Sequence, residues 1–441
     1  MEVVVTQSPP FRGTVSVPSD KAIAHRSALI AALANGRTII HPWSLAEDCQ
    51  WTLSAIEGLG VTVHKAADTI SITGCAGHPL PTSCEALDCG ESGTTIRLVT
   101  GLLAGQPMTM RLNAGARLSR RPMQRLLEPL SEMGARIQGT LRISSGSHEV
   151  YPPLTVQGRR PLRAIHYEMP LASAQVKSAI LLAALMADGK TTVVEKLSTR
   201  DHTERLLRYF QVPIQQVGGV VSIEPAPLIS PGALPLPGDL SSAAFFVVAA
   251  CCVPDSQIEL HGVGLNPSRS GFLRILRKMG ADIQERLDID EAWEPRGKLI
   301  VRARPLHGVW LPAHEVPSVI DELPILMVAA ACATGRSRFE GLQELRVKET
   351  DRVQSMVDGL GDLGVSIERS EPNGVELEGG TLMGTTVDSA GDHRTAMSLA
   401  VAGLVARGST QILGAECVRK SFPDFFERLR RIAGASVVRE G

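Results

Sequence analysis

Two hydrophobic patterns alternate along the chain. The first is a run of small and aliphatic residues that is apolar on nearly every side, as in "SAILLAALMA" and "ILMVAAACA". Such a run predicts a helix that is buried all round. The predicted buried helices span residues 22–34, 94–104, 174–187, 241–252, 325–333 and 394–406.

The second pattern is a short stretch in which apolar and polar residues alternate after a glycine. "MGARIQ" and "LGVSIE" are examples, and the alternation predicts strands with one buried face. The glycine suits the position after a helix C-terminus, where a left-handed backbone is common. Segments with this pattern follow amphipathic helices at 55–74, 130–146, 209–225, 276–290, 360–380 and 431–441.

The interleaving of the two patterns indicates a repeated unit of about 70–80 residues with a buried helix, an amphipathic helix and several strands. Six units most simply form two domains of three. The segment 236–246 echoes the segment 17–27, and the Pro-rich run 225–239 is the best candidate linker. The first domain is therefore predicted at 19–238, and the second at 239–441, completed by 1–18.

Charge and cysteine usage narrow the class of protein. The 441 residues include 45 Lys and Arg against 46 Asp and Glu, a balance that does not favour binding to nucleic acid or a membrane surface. The eight cysteines form no CxxC pair and no zinc-site spacing, which predicts reduced thiols. With no signal-peptide pattern and no apolar run of membrane-spanning length, we expect a cytoplasmic protein without nucleic-acid or membrane partners.

Cations cluster at the starts of predicted helices, where the helix dipole disfavours them. Arg121 precedes Pro122, which is a candidate first residue of a helix. Taken singly, each cation is explained by a solvated face or a local ion pair. Together they predict a site for a small polyanion, because helix N–H groups and cations cooperate in binding anions. The cations are Lys21, Arg26, Arg121, Lys348, Arg352, Arg394 and Lys420.

Two acids are candidates for proton transfer. Asp321, with Glu322 after it, precedes a nearly apolar segment, where a carboxylate is either a helix N-cap or a buried acid–base group. Glu349 lies among cations and could pair with Arg352. Ser173 can cap the following helix, and Gln175 can donate a hydrogen bond to a ligand. No motif for a metal, a nicotinamide or a covalent nucleophile is present, so we expect neither cofactor nor metal.

Ten ordered motifs resemble the enolpyruvyl transferase family over essentially the whole chain, nearest to members that act on shikimate 3-phosphate. The resemblance implies an α/β fold of two domains, each with three βαβαββ repeats related by approximate threefold symmetry, in an inside-out α/β barrel. It places the active site in the interdomain cleft. The motifs are "DKAIAHRSALIAALANG", "GESGTTIRL", "RRPMQRLLEPL", "MPLASAQVKSAILLA", "TRDHTERLL", "PGDLSSAAFF", "IDELPIL", "ELRVKETDR", "DHRTAM" and "KSFPDFF".

The resemblance implies a monomer that transfers the enolpyruvyl group of phosphoenolpyruvate to the 5-hydroxyl of shikimate 3-phosphate and releases phosphate. It implies Asp321 as the base, with Glu349 and Lys21 as proton donors. The residues expected at shikimate 3-phosphate are Lys21, Ala22, Arg26, Ser173, Ala174, Gln175, Arg200, Asp321 and Lys348. The residues expected at phosphoenolpyruvate are Lys21, Gly93, Arg121, Gln175, Arg352, Arg394 and Lys420.

Two departures from the family pattern bear on affinity. Ala22 stands where Ser is usual, which removes a hydroxyl contact to shikimate 3-phosphate. Glu91 stands where Asn is usual, and we expect its charge to weaken phosphoenolpyruvate binding. Two alternatives stay open: a non-catalytic anion-binding relative, and a transferase acting on UDP-N-acetylglucosamine. The latter is disfavoured because residues 106–125 lack the cysteine of that family's mobile loop.

Overall fold

The computed structural model describes residues 1–82, 84–144, 147–288, 293–370 and 373–440. The predicted strand segments 130–146, 276–290, 360–380 and 431–441 run into the gaps, and those positions lie outside the described residues. Within the described ranges, no helix combines the length and hydropathy needed to cross a bilayer.

The described residues form twelve α-helices and four short 3₁₀ helices. The α-helices are α1 (Lys21–Leu33), α2 (Glu47–Gly58), α3 (Gly93–Ala104), α4 (Gln124–Glu132), α5 (Ala174–Ala184), α6 (His202–Tyr209), α7 (Leu240–Cys252), α8 (Gly271–Lys278), α9 (Leu323–Ala331), α10 (Arg352–Asp362), α11 (His393–Val405) and α12 (Phe425–Ala433). The 3₁₀ helices are Leu118–Arg120, Ala313–Ser318, Leu342–Leu345 and Ala415–Lys420.

The strands are short and number 24 among the described residues. They are β1 (Val3–Thr6), β2 (Arg12–Val15), β3 (Arg37–His41), β4 (Thr62–Ala66), β5 (Thr69–Thr73), β6 (Ala86–Asp88), β7 (Thr109–Asn113), β8 (Arg136–Ser144), β9 (Ser147–Gln157), β10 (His166–Met169), β11 (Thr191–Glu195), β12 (Ile214–Val217), β13 (Val220–Ile223), β14 (Ala233–Pro235), β15 (Gln257–Gly264), β16 (Asp282–Leu287), β17 (Arg296–Arg302), β18 (Trp310–Leu311), β19 (Arg336–Phe339), β20 (Ser366–Ser370), β21 (Gly374–Glu378), β22 (Thr386–Asp388), β23 (Ser409–Leu413) and β24 (Val438–Glu440).

The odd-numbered helices are the predicted apolar ones, and they are buried along nearly their whole length. Each begins within two residues of its predicted start, so this prediction is confirmed. The even-numbered helices are amphipathic and lead into the strand pairs. The glycines after α2, α4, α8 and α10 have left-handed φ values of 81°, 103°, 95° and 88°, which confirms the predicted helix ends.

Every sheet has four strands in the same order, which confirms the predicted repeat. In the sheet of β6 to β9, for example, β6 pairs in parallel with β7, β7 pairs antiparallel with β9, and β9 pairs antiparallel with β8. With α3 and α4 in between, this unit reads βαβαββ. Three sheets take one strand from a distant part of the chain: β14 pairs with β3, β2 with β15, and β1 lies between β23 and β24.

The chain divides into two compact units. We call Ser19–Leu236 the central unit, and Met1–Pro18 with Pro237–Gly441 the terminal unit. Aromatic residues make up only 4% of the chain, yet five of them cluster in the terminal unit. They are Phe245, Phe246, Phe422, Phe425 and Phe426. The centroids of their contacting ring pairs lie 5.1 to 6.1 Å apart, and the cluster anchors the segment that follows Lys420.

Candidate active site

In the central unit, side-chain hydrogen bonds join the starts of three buried helices. Gln175 on α5 donates to Thr94 Oγ1 on α3 at 2.9 Å, and Arg26 on α1 donates to Ser178 Oγ on α5 at 2.9 Å. Ser173 caps α5 as predicted. Because the first N–H groups of a helix have no partner inside it, this arrangement gathers hydrogen-bond donors from three helices.

Lys21 is the first residue of α1, and a carboxylate on α2 holds its ammonium group. Lys21 Nζ donates to Asp48 Oδ2 at 2.8 Å, and the two side chains are 15% and 7% exposed. The sequence analysis missed Asp48, because an acid in the first turn of a helix has an ordinary electrostatic explanation. Its pairing with Lys21 bridges 27 residues and leaves no local signal in the sequence.

Arg26 is buried, and its guanidinium group is fixed by three neighbouring elements. It donates to Thr203 Oγ1 at 2.8 Å, to Ser178 Oγ at 2.9 Å and to the carbonyl of Ala22 at 2.7 Å. Ala22 and Ala174 are the second residue of α1 and the first residue of α5. This geometry orients the group at the start of α1, where the sequence predicts an anion.

Arg121 lies against the start of α3. A Cβ atom added to Gly93 would come within 2.4 Å of Arg121 Nη1, so the guanidinium group covers this residue. Arg97, which the sequence analysis missed, donates to the Gly93 carbonyl at 3.2 Å and to Gln175 Oε1 at 3.0 Å. The structure therefore brings together the predicted residues Gly93, Arg121 and Gln175.

The predicted helix start at Pro122 is wrong. Helix α4 begins at Gln124, after Met123 at the N-cap position. Arg121 instead ends the 3₁₀ helix Leu118–Arg120. The local pattern of two arginines before a proline misled the prediction, because the proline stands between two short helical segments rather than inside the second.

Glu91 does not have the environment that the sequence suggested. Its Oε1 accepts a hydrogen bond from the backbone N–H of Arg117 at 3.2 Å, and its Oε2 accepts one from Leu118 at 2.7 Å. The carboxylate is thus directed at the backbone of the segment that leads to Arg121. The expectation that its charge weakens phosphoenolpyruvate binding stays a prediction, because these hydrogen bonds show what holds the carboxylate and not how it acts on a substrate.

A fully buried ion cluster supports the loop that carries Arg200. Lys177 Nζ lies 2.8 Å from Glu195 Oε2 and 2.6 Å from Glu204 Oε1. Glu195 Oε1 also accepts hydrogen bonds from both the backbone N–H and the hydroxyl of Thr199. Arg200 follows directly and is half-buried. The sequence analysis missed this cluster, since Lys177 stands inside an apolar helix with its acids 18 and 27 residues away.

His25 is buried beside Lys21 and Arg26, and its Nδ1 lies 2.6 Å from Thr52 Oγ1. Burial, reinforced by the charges of Lys21 and Arg26 and opposed by Asp48, lowers the pKa of His25 to about 3. The ring is therefore neutral in the folded protein at neutral pH.

This shift predicts acid sensitivity. In the unfolded chain a histidine has a pKa of about 6.5. Below that pH, His25 is therefore protonated in the unfolded state while it stays neutral in the folded state. The free energy of unfolding should fall between pH 6.5 and about 3, by up to about 1.4 kcal/mol per pH unit. Denaturation of His25→Gln at pH 7 and 5 should show a shallower fall, whereas His64→Gln, at an exposed position, should keep the parent slope. Equal slopes for the parent and His25→Gln would contradict the assignment.

In the terminal unit, Arg352 is the centre of an ion cluster. It is the first residue of α10 and is buried. Its Nε donates to Asp392 Oδ2 at 2.8 Å and its Nη2 donates to Glu349 Oε2 at 2.7 Å, while Asp321 Oδ1 lies 3.7 Å from Nη1. Burial disfavours the charged guanidinium group, but the three carboxylates outweigh burial and raise the pKa of Arg352.

Asp321 lies between two guanidinium groups. Its Oδ2 is 3.7 Å from Arg394 Nη2, and its backbone carbonyl accepts a hydrogen bond from Arg394 Nη1 at 2.8 Å. Of the two acids before the apolar segment, Glu322 and not Asp321 takes the N-cap position of α9, and its side chain makes no capping hydrogen bond. The Asp321 side chain is 18% exposed, so its carboxylate is half-buried and keeps access to solvent.

Glu349 joins two cations. It pairs with Arg352 three residues later, as predicted, and its Oε1 lies 3.4 Å from Lys420 Nζ. Lys348 precedes it and is half-buried. The structure thus brings Asp321, Glu349, Arg352, Arg394 and Lys420 into one cluster.

The sequence analysis missed Asp392 in this cluster. Its Oδ1 caps α11 through the N–H groups of Arg394 and Thr395, while Oδ2 holds Arg352. In the sequence, Asp392 looks like no more than an ordinary helix N-cap. Chemically, the cluster combines carboxylates that can exchange protons with cations that can hold an anion. Among the described residues, no three His, Cys, Asp or Glu side chains gather as a metal site would require.

Comparison with known proteins gives concordant results. The family profile of EPSP synthase (3-phosphoshikimate 1-carboxyvinyltransferase) matches residues 5–429. A curated 3-phosphoshikimate 1-carboxyvinyltransferase from Coxiella burnetii (strain CbuK_Q154) is 44% identical over 422 residues, which are 94% of this chain and 93% of that protein. A solved structure of EPSP synthase from Acinetobacter baumannii has a TM-score of 0.86 and 38% identity, and the match covers 100% of this chain and 99% of that one. The enolpyruvyl transferase NikO from Streptomyces tendae, at 16% identity, has a TM-score of 0.73 over 99% of this chain and 98% of its own, a likeness of fold alone.

Proposed function

The chain belongs to the EPSP synthase family, and from that premise we propose that it transfers the enolpyruvyl group of phosphoenolpyruvate to the 5-hydroxyl of shikimate 3-phosphate. The observation that carries this proposal is the placement of Asp321 and Glu349 on either side of Arg352. The reaction needs a base, an acid and cations for phosphate and carboxylate groups, and this cluster holds all three.

Shikimate 3-phosphate is proposed to bind at the starts of α1 and α5 and beside Asp321. Arg26 supports this proposal, since it is buried and oriented by Thr203, Ser178 and Ala22. The N–H groups at the start of α5 add donors of the kind that phosphate prefers. The full proposed set is Lys21, Ala22, Arg26, Ser173, Ala174, Gln175, Arg200, Asp321 and Lys348.

Phosphoenolpyruvate is proposed to use the start of α3 and the cations of the terminal unit. Gly93 supports this proposal because a side chain there would collide with Arg121 and Arg97. Bare helix N–H groups beneath a guanidinium group form a strong anion site. The full proposed set is Lys21, Gly93, Arg121, Gln175, Arg352, Arg394 and Lys420.

The proposed reaction is an addition followed by an elimination. Asp321 accepts the proton of the 5-hydroxyl, whose oxygen attacks C2 of phosphoenolpyruvate, while Glu349 or Lys21 delivers a proton to C3. A proton then leaves the new methyl group, the double bond reforms and inorganic phosphate departs. The pairs Lys21–Asp48 and Glu349–Lys420 support these roles, because each holds its donor in a fixed position.

Three finer properties belong to the same proposal: a monomeric state, a cytoplasmic location and inhibition by glyphosate. Glyphosate is a small phosphonate–carboxylate polyanion, so the cations proposed for phosphoenolpyruvate also suit its charges. Size-exclusion chromatography with light scattering tests the oligomeric state. A rise in the apparent KM for phosphoenolpyruvate with added glyphosate tests the shared site.

Phosphate release after mixing both substrates tests the function most directly. We expect stoichiometric phosphate and a product whose mass equals that of the two substrates together minus phosphoric acid. Each substrate alone serves as the control, and UDP-N-acetylglucosamine replaces shikimate 3-phosphate in a parallel reaction. Release only with the sugar nucleotide, or with neither acceptor, would refute the proposal.

A further inference from the structure

Glu91 occupies a turn that faces the segment carrying Arg121. It stands between β6 and α3, two residues before Gly93. The segment 113–121 runs past this turn, and the two are joined by backbone hydrogen bonds: Cys89 N–H to the Asn113 carbonyl at 3.0 Å, and Gly115 N–H to the Gly90 carbonyl at 2.7 Å. Glu91 is thus well placed to act on this segment.

The Glu91 carboxylate satisfies the start of the 3₁₀ helix Leu118–Arg120. Arg117, the N-cap residue of this helix, makes no capping hydrogen bond with its own side chain. The two carboxylate oxygens instead accept the N–H groups of Arg117 and Leu118, at 3.2 and 2.7 Å. Hydrogen bonds to a charged acceptor are stronger than neutral ones. The helical turn therefore begins at a point determined by Glu91.

The other end of the same turn delivers Arg121. Its backbone N–H bonds to the Leu118 carbonyl at 3.0 Å, and its guanidinium group returns over Gly93. The series of contacts from Glu91 through the 3₁₀ helix to the Arg121 guanidinium group thus ends at Gly93, two residues after Glu91. A shift of the helix start would move Arg121 away from α3.

Gly115 provides the space that this arrangement needs. A Cβ atom there would have three nearest neighbours, and all belong to Glu91: Oε1 at 2.4 Å, Cδ at 2.6 Å and Cγ at 3.2 Å. The Gly115 φ lies outside the left-handed region, so an alanine meets no backbone penalty there. The glycine is therefore matched to the Glu91 side chain.

We propose that Glu91 is a positioning residue that fixes the Arg121 guanidinium group over the start of α3 for phosphoenolpyruvate, an inference that rests on the proposed function. It acts through the backbone N–H groups of Arg117 and Leu118 and does not touch the substrate. Loss of the carboxylate should weaken phosphoenolpyruvate binding, which is the opposite of the expectation from charge alone.

The test compares KM values for the two substrates. Glu91→Gln keeps the shape but loses one acceptor and the charge, and should raise the KM for phosphoenolpyruvate roughly threefold; Glu91→Ala should raise it roughly tenfold. The KM for shikimate 3-phosphate should change less than about twofold in both. Glu85→Gln makes the same charge change at an exposed position before β6 and should leave both constants unchanged. A lower KM for phosphoenolpyruvate in Glu91→Gln would mean that the main effect of the Glu91 charge is to repel this substrate, and it would overturn the proposal.

A double-mutant cycle with Gly115 provides the second test. Gly115→Ala should raise the phosphoenolpyruvate KM in the parent protein, because the new methyl group displaces the carboxylate. In the Glu91→Ala background the same change should alter it by less than about twofold, because the colliding atoms are gone. Additive effects would contradict the proposal. Absence of parent turnover would refute the proposed function instead, so the two failures are distinguishable.

Discussion

Asp321→Asn is expected to lower kcat by about 10²–10⁴-fold, the usual contribution of a general base. The change removes the proton acceptor but retains the side-chain shape. The backbone carbonyl of Asp321 keeps its hydrogen bond to Arg394, and Arg352 keeps Asp392 and Glu349. The cations proposed to hold both substrates thus stay in place, so the loss should fall on kcat rather than on binding.

Three measurements separate this loss from damage to the fold. The melting temperature of Asp321→Asn should stay near that of the parent, and calorimetric Kd values for each substrate should change less than about threefold. Asp362→Asn makes the same chemical change at an exposed position in the same unit and should turn over normally. Near-parent kcat in Asp321→Asn would remove Asp321 from the mechanism and leave Glu349 as the candidate base.

The parts of the fold that sequence reasoning predicted are those whose signal is local. A helix that is apolar on every face needs no partner to be recognised, and the starts of α1, α3 and α11 were predicted to within one residue. A glycine after an amphipathic helix likewise marks a left-handed turn by itself, as at Gly60 and Gly134. The repeated order of these signals was enough to predict six units, each with a buried helix, an amphipathic helix and several strands. The βαβαββ order within a unit, which the sheets show, was implied only by the family resemblance.

The parts that escaped prediction are pairings over long sequence separations. Asp48 and Asp392 each look like an ordinary acid at a helix start, yet one holds Lys21 and the other holds Arg352. The role of Glu91 depends on N–H groups 26 and 27 residues later, which no periodicity reveals. In the candidate site, most of the cations could therefore be predicted from the sequence, with Arg97 as an exception, whereas the distant groups that orient them, such as Asp48 and Asp392, could not.

The second prediction concerns the stability of the protein and rests on the buried ion cluster around Lys177. Lys177→Met is expected to lower the free energy of unfolding by about 3–5 kcal/mol at neutral pH, because it leaves the carboxylates of Glu195 and Glu204 buried without their cation. Burial lowers the pKa of Lys177, but the attraction of Glu204 and Glu195 outweighs it and raises that pKa, so the ammonium form is the one removed. Denaturant unfolding at pH 8 measures the loss.

A pH series and a partner variant make this prediction specific. In the parent protein, burial raises the pKa of Glu204 and the charge of Lys177 lowers it, and the effect of burial is the larger. In Lys177→Met that opposing charge is gone, so the pKa of Glu204 should rise further. A carboxyl group whose pKa is higher in the folded protein than in the unfolded chain holds its proton more tightly in the folded state. The free energy of unfolding therefore falls as pH rises through the folded-state pKa, and the stability that Lys177→Met loses relative to the parent should be larger at pH 8 than at pH 5. Glu204→Gln, which removes the charge that burial already disfavours, should cost less than about 1 kcal/mol. A deficit of equal size at both pH values, or a Glu204→Gln variant as unstable as Lys177→Met, would show that packing rather than uncompensated charge accounts for the loss.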